Sequence, residues 1–201
     1  MALLVLVRHG ESTSNLANVF TGWLDVPLSP KGEEEARTVA EKLRDYHFNV
    51  AYSSDLIRAE RTLDLIVARP AWATIPVHHA AALRERMYGD LQGLNKAETA
   101  LKYGQAQVDS WRRSYAVAPP GGESLQQTQE RAVKFYEAEI APQLRAGRDV
   151  LVVAHGNTLR GLRMYLEQLT PTQVESLEIV TGGICVYHFD AQLHILEQQT
   201  L

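Results

Sequence analysis

The chain has 201 residues, 45% hydrophobic and 22% charged, with 13 Gly, 8 Pro, one cysteine and a formal net charge of -4. That length most simply forms one domain over residues 1–201, and no apolar run approaches the roughly 18 residues of a membrane span. A lone Cys185 excludes an internal disulfide framework and fits a reducing cytoplasm, and the negative balance gives no support for nucleic-acid binding, so any anionic ligand needs a local cationic cluster.

The first residues lack a basic region and a small-residue cleavage site, so Leu3-Leu4-Val5-Leu6-Val7 reads as a buried strand and not a leader. A polar loop from Arg8 to Leu28 follows. Ser29-Pro30 then supplies an N-cap and a proline at the first helical position, and Ala36, Val39, Ala40 and Leu43 keep helical spacing to about Asp45. Asn49 to Ser53 reads as a second strand, Asp55 to about Ala68 as a helix closed by Pro70, and Ile75 to His78 as a short third strand. From Ala80 to Gly122 the pattern is helical but irregular, and insertions of this length in an α/β domain usually serve a site. After Pro119-Pro120-Gly121-Gly122 a long helix is expected from about Glu123 to Ala146. Val150-Leu151-Val152-Val153-Ala154 reads as another buried strand, followed by a helix to about Leu169 and a short one capped by Thr170-Pro171. Ile184–Phe189 and Leu193–Gln198 pattern as a terminal hairpin.

Two of the apolar strands run directly into histidine-glycine pairs, Arg8-His9-Gly10 and His155-Gly156-Asn157. In a parallel sheet, ligands bind beyond the carboxyl ends of the strands, so His9 and His155 are expected over one crevice. Arg8 is beside them, and Arg58 is one turn into the helix after the second strand. Guanidiniums grip phosphate oxygens in bidentate fashion, and a cationic setting favours neutral imidazole with a free lone pair. This predicts phosphoryl transfer without a metal, one histidine acting as nucleophile and the other stabilising the transferred group. An isolated Arg-His-Gly is more simply a hydrogen-bonded histidine at a strand end. The second His-Gly, after an equally apolar strand, shifts the reading to chemistry.

Leaving-group protonation needs an acid. Glu85 lies between Arg84 and Arg86, where its bland reading is a surface ion pair and its functional reading a buried general acid. Lys96 and Arg112-Arg113 are either a solvated helix face or a second anion subsite. His47, His78, His79, His188 and His194 have no ligand spacing, so no metal is expected. Trp23 and Trp111 are equally compatible with core and pocket wall.

Leu6-Val7-Arg8-His9-Gly10-Glu11-Ser12, Asn18-Val19-Phe20-Thr21-Gly22-Trp23, Arg58-Ala59-Glu60-Arg61-Thr62, the block from Glu85 to Glu98, Trp111-Arg112-Arg113-Ser114-Tyr115 and Ala154-His155-Gly156-Asn157 together resemble the histidine phosphatase superfamily. The Glu85–Glu98 block and the Trp-Arg-Arg run resemble its cofactor-dependent phosphoglycerate mutases, and the likeness covers nearly the whole chain. It implies an α/β fold, a three-layer α/β/α sandwich around a mainly parallel sheet with one antiparallel edge strand. It implies His9 as the phosphorylated nucleophile and Glu85 as general acid and base. Arg8, Arg58, Asn15 and His155 would surround the transferred group, helped by Ser12 and the backbone at Gly156 and Asn157. Thr21, Gly22, Tyr88, Lys96, Arg112, Arg113 and Asn157 would contact substrate.

The implied reaction is interconversion of 3-phosphoglycerate and 2-phosphoglycerate in glycolysis and gluconeogenesis, primed by 2,3-bisphosphoglycerate, with no metal, no nucleic acid and no membrane as partner. A homo-oligomer is among the assemblies the resemblance allows. Two other readings stay open on the residues: a metal-independent phosphomonoester phosphatase, which needs only Arg8, His9, Arg58, Glu85 and His155, and an inactive phospho-ligand-binding module. Longer members of the family carry an insertion before Glu123-Ser124-Leu125 and an extended tail beyond Leu201. Val180-Thr181-Gly182-Gly183-Ile184 also departs from a proline-rich pattern. These differences lead to the expectation of a more open pocket that loses more phosphoryl groups to water.

Overall fold

A computed structural model describes residues 1–201. Its sheet has six strands in the order β3-β2-β4-β1-β5-β6, with β1 Ala2–Arg8, β2 Val50–Ser53, β3 Val77–His79, β4 Val150–Ala154, β5 Ile184–Phe189 and β6 Ile195–Thr200. The first four run parallel; β5 is antiparallel to β1, and β6 is antiparallel to β5. The expected sandwich around a mainly parallel sheet is the observed one, with a shift of detail. The reversed strand lies one place in from the edge, and the edge strand β6 runs with the majority.

Alternation along β1 builds both halves of the core. Leu3, Val5 and Val7 face α2 (Pro30–Lys42) and α3 (Ile57–Val67), meeting Val39, Leu43, Leu63 and Ile66. Leu4 and Leu6 face α6 (Leu125–Phe135), α7 (Ala141–Arg145) and α8 (Gly156–Glu167), meeting Ala132, Leu144, Leu159 and Leu162. Each such side chain withdrawn from water contributes roughly 1.5–3 kcal/mol. Helix starts follow their caps: the Ser29 hydroxyl accepts from the Gly32 amide, and Ser124 and Thr170 form capping boxes with Gln127 and Gln173.

Several boundaries differ from expectation. The loop after β1 contains a helical turn, α1 (Thr13–Leu16), capped by Ser12. The helix expected from Glu123 to Ala146 begins at Leu125 and is interrupted by a π-helical turn at Tyr136–Ile140, just before Pro142, which has no amide hydrogen to continue the ladder. The third strand starts two residues late, at Val77. The insertion resolves into α4 (Lys96–Tyr103) and α5 (Gln105–Arg113) over a separate small core of Phe20, Leu91, Val108 and Trp111. A last short helix, α9 (Pro171–Ser176), precedes β5. Cys185 is buried in the hairpin, where Gln198 Nε2 donates to its Sγ at 3.3 Å.

Candidate active site

The sheet register brings the histidines together. β1 and β4 are adjacent and parallel with Arg8 opposite Ala154, so His9 and His155 leave neighbouring strands side by side, and the His9 amide donates to the Ala154 carbonyl at 3.0 Å. Their ring centroids are 4.8 Å apart. Both are buried, and both are held well below the ordinary histidine pKa, first by desolvation and then by Arg58 and Arg8, with each neutral at pH 7.

The tautomers follow from hydrogen bonding. His9 Nδ1 lies 2.6 Å from the Gly10 carbonyl, which can only accept, so Nδ1 carries the proton and Nε2 keeps its lone pair. His155 Nε2 lies 2.6 Å from Ser54 Oγ, which also receives the Leu56 amide at 3.3 Å, while His155 Nδ1 is buried without a protein partner. A Ser54 hydroxyl donating to Nε2 leaves Nδ1–H free for an anionic oxygen.

Arg58, from the first turn of α3, is clamped by the carbonyls of Leu24 (2.9 Å) and Gly22 (2.8 Å), and burial brings its pKa down to about 10. Gly22 adopts φ +53°, and a Cβ there would stand 2.2 Å from Gln92 Oε1, so the carbonyl that orients Arg58 depends on glycine. Arg8 donates to the Ile179 carbonyl at 2.5 Å and leaves Nε buried and unpartnered; desolvation lowers its pKa.

Glu85 is not in an ion pair with either neighbouring arginine. Arg84 is bidentate to Asp55 at 2.6 and 2.7 Å, and Arg86 turns to Tyr88 Oη (3.0 Å) and the Arg112 carbonyl (2.7 Å). Glu85 Oε1 accepts from the amides of Arg86 (2.7 Å) and Asn157 (3.1 Å), leaving Oε2 free beside Gly156 and the Arg8 guanidinium. Its backbone is braced by Trp23 Nε1 at 2.7 Å and by Arg131, which also pairs with Glu123. Trp23 therefore supports the Glu85 backbone, and Trp111 packs in the small core.

A cavity of about 190 Å³ joins these groups to a second cationic set. Its wall includes Arg8, His9, Asn15, Thr21, Gly22, Arg58, Glu85, Tyr88, Lys96, Arg112, Arg113, Gly156 and Asn157. Ser12 lies outside that wall: its hydroxyl caps α1, and Asn15 Oδ1 is occupied by the Ser12 amide and hydroxyl, which leaves the Asn15 Nδ2 donors for a ligand. His155 is likewise not part of that wall, its ring packing against that of His9. Lys96 is pushed below the ordinary lysine pKa, first by desolvation and then by Arg112 and Arg8, Tyr88 opposing. Burial alone would raise the Tyr88 phenol; the Arg86 guanidinium, with hydrogen bonds from Arg86 and Asn157, brings it below its ordinary value.

Sequence reading missed Ser54, Arg86, Arg160 and Glu178. Arg160 had a signal, because it lies one turn beyond Asn157 on α8; Ser54 directly follows a strand end; Glu178 had none.

The model of the histidine phosphatase superfamily, branch 1, matches residues 4–199. A 2,3-bisphosphoglycerate-dependent phosphoglycerate mutase of Cytophaga hutchinsonii is 50% identical over 195 residues, covering 97% of this chain and 91% of the relative. One of Gloeobacter violaceus is 54% identical over 179 residues, covering 89% and 82%. Among solved structures, Bacillus stearothermophilus YhfR aligns with a TM-score of 0.86 over 97% of this chain and 94% of its own at 24% identity, a likeness of fold.

Proposed function

The chain belongs to the histidine phosphatase superfamily, branch 1, and from that premise we propose that it interconverts 3-phosphoglycerate and 2-phosphoglycerate through a phosphohistidine at His9, primed by 2,3-bisphosphoglycerate. The observation that carries the reading is one cavity with cations at both ends of its chemistry: Arg8 and Arg58 beside the histidines, and Lys96, Arg112 and Arg113 on the same wall. A phosphomonoesterase needs only the first set. A substrate with a second anionic end, which must stay bound while it turns, uses both.

In the priming step the His9 Nε2 lone pair attacks phosphorus, the P–N bond forms, and the bond to the glycerate oxygen breaks. The electron pair leaves with that oxygen, which takes a proton from Glu85 Oε2. The phosphoimidazole keeps its Nδ1–H on the Gly10 carbonyl. Arg8, Arg58 and the His155 Nδ1–H spread the charge on the equatorial oxygens, with the Asn15 amide and the first turn of α8 contributing neutral donors. When a monophosphoglycerate has turned, its free hydroxyl gives its proton to Glu85 and attacks phosphorus, and the P–N electron pair returns to Nε2. No metal enters these steps. No helix is long and apolar enough to cross a membrane, and the single unpaired thiol supports a cytoplasmic setting.

Labelled 2,3-bisphosphoglycerate should give an acid-labile phosphoprotein with the label on His9, discharged to added monophosphoglycerate rather than to water. His9→Ala should abolish both labelling and turnover. Retained labelling in that variant, or hydrolysis of p-nitrophenyl phosphate far faster than phosphoglycerate turnover, overturns the reading.

A further inference from the structure

The segment leading from α9 toward β5 touches three pocket arginines within three residues. The Leu177 carbonyl accepts from Arg160 Nε at 2.7 Å, and the Ile179 carbonyl accepts from Arg8 Nη1 at 2.5 Å. Between them, the Glu178 carboxylate accepts from Arg113 Nη2 at 2.5 Å. The wall of the cavity has two carboxylates, Glu85 and Glu178. Proton transfer accounts for the first. The second has no part in the steps above, and a negative charge beside Arg113 opposes any anion that needs the same guanidinium. Arg113 Nη1 is buried with no protein partner, so this arginine is only partly satisfied by Glu178. The Glu178 side chain is 68% exposed, and an ion pair so open to water is weak and readily exchanged.

We propose that Glu178 is a stand-in for the substrate's own anionic end: it occupies Arg113 while the site is empty, is displaced when a phosphoglycerate binds, and returns as product leaves. The inference rests on the phosphoglycerate reading of the cavity. It makes Glu178 a specificity-determining residue. A ligand must offer Arg113 an anion strong enough to displace a carboxylate, which favours compounds anionic at both ends over simple phosphomonoesters. It also tunes affinity downward and so assists release.

Glu178→Gln keeps the length of the side chain and an oxygen that can accept from Arg113, and removes only the charge. The expected result is a KM for 3-phosphoglycerate lower by about two- to fivefold, the range of an exposed ion pair, with product inhibition by 2-phosphoglycerate strengthened in proportion. Calorimetric titration of 3-phosphoglycerate should show the same tightening. If Glu178 only braces Arg113, the substitution loosens the guanidinium and KM rises. A KM that is unchanged or higher in Glu178→Gln overturns the inference while leaving the mutase reading intact. Failure of the unsubstituted protein to interconvert phosphoglycerates overturns the reading beneath it.

Discussion

The two buried histidines tie chemistry to stability. Both suit the proposed roles of nucleophile and partner because they are neutral, and they are neutral because burial and the arginines hold their folded pKa well below 6.5. In the unfolded chain they titrate near 6.5, so as pH falls through that value the unfolded state takes up protons that the folded state refuses. Stability is therefore present above pH 6.5 and lost below it, by up to about 1.4 kcal/mol per pH unit for each ring. Denaturant titrations between pH 6.5 and 5 should show that slope, and His155→Gln should remove about half of the part these two rings supply. An unchanged slope in the variant would mean that His155 is protonated in the folded protein. At this scale the sequence was informative about position, since Arg8, His9, Ser54 and His155 all fall at the ends of apolar strands. It was uninformative where the partner came from a distant segment: nothing local marks Ser54 as the partner of His155, or Arg86 as turning away from Glu85 toward Tyr88.

Among the elements, α2 has an importance its exposed charged face conceals. Gly10, in the loop beyond His9, and Gly32, in the first turn of α2, lie in backbone contact: a Cβ on Gly32 would stand 2.0 Å from the Glu11 carbonyl, and one on Gly10 would stand 2.2 Å from the Gly32 carbonyl. The helix thus rests on the loop that follows His9, the proposed nucleophile. Gly32→Ala should cost about 1–3 kcal/mol in denaturant unfolding, the usual penalty for overpacking, and should slow phosphoenzyme formation because the loop must shift. Full stability with full labelling would show that the contact is soft. Caps and hydrophobic spacing made this helix legible in the sequence, with Ser29-Pro30 at its start. The π-helical turn at Tyr136–Ile140 leaves no such mark, nor does α1, which has only four residues and depends on the Ser12–Asn15 capping box more than on any periodic pattern.

For the whole molecule, the unbroken apolar runs of β1 and β4 were enough to foresee a sheet covered on both faces, because a strand with no polar side leaves neither face for water. Strand order was not foreseeable in that way, since β4 inserts between β1 and β2 from a hundred residues away. That order creates the site by setting His9, Ser54 and His155 on three adjacent strand ends. Reversal of β5 has a different effect. A parallel strand presents to the crevice the residues after its carboxyl end, whereas a reversed strand presents the residues before its amino end, which is how Glu178 arrives over the pocket. β6 then turns back toward the same end, where the Leu201 amide donates to the Ile184 carbonyl at 3.1 Å and Thr200 and Leu201 line a cavity of about 210 Å³ shared with Glu178, Ile179 and Val180. Met1, 93% exposed, lies at the far end of the sheet. The two termini are thus unequal places to attach anything. An affinity tag joined after Leu201 should lower kcat/KM by crowding the segment that carries Glu178, and the same tag joined before Met1 should leave it alone. Equal kinetics for the two fusions would mean that this segment moves independently of its neighbour strand.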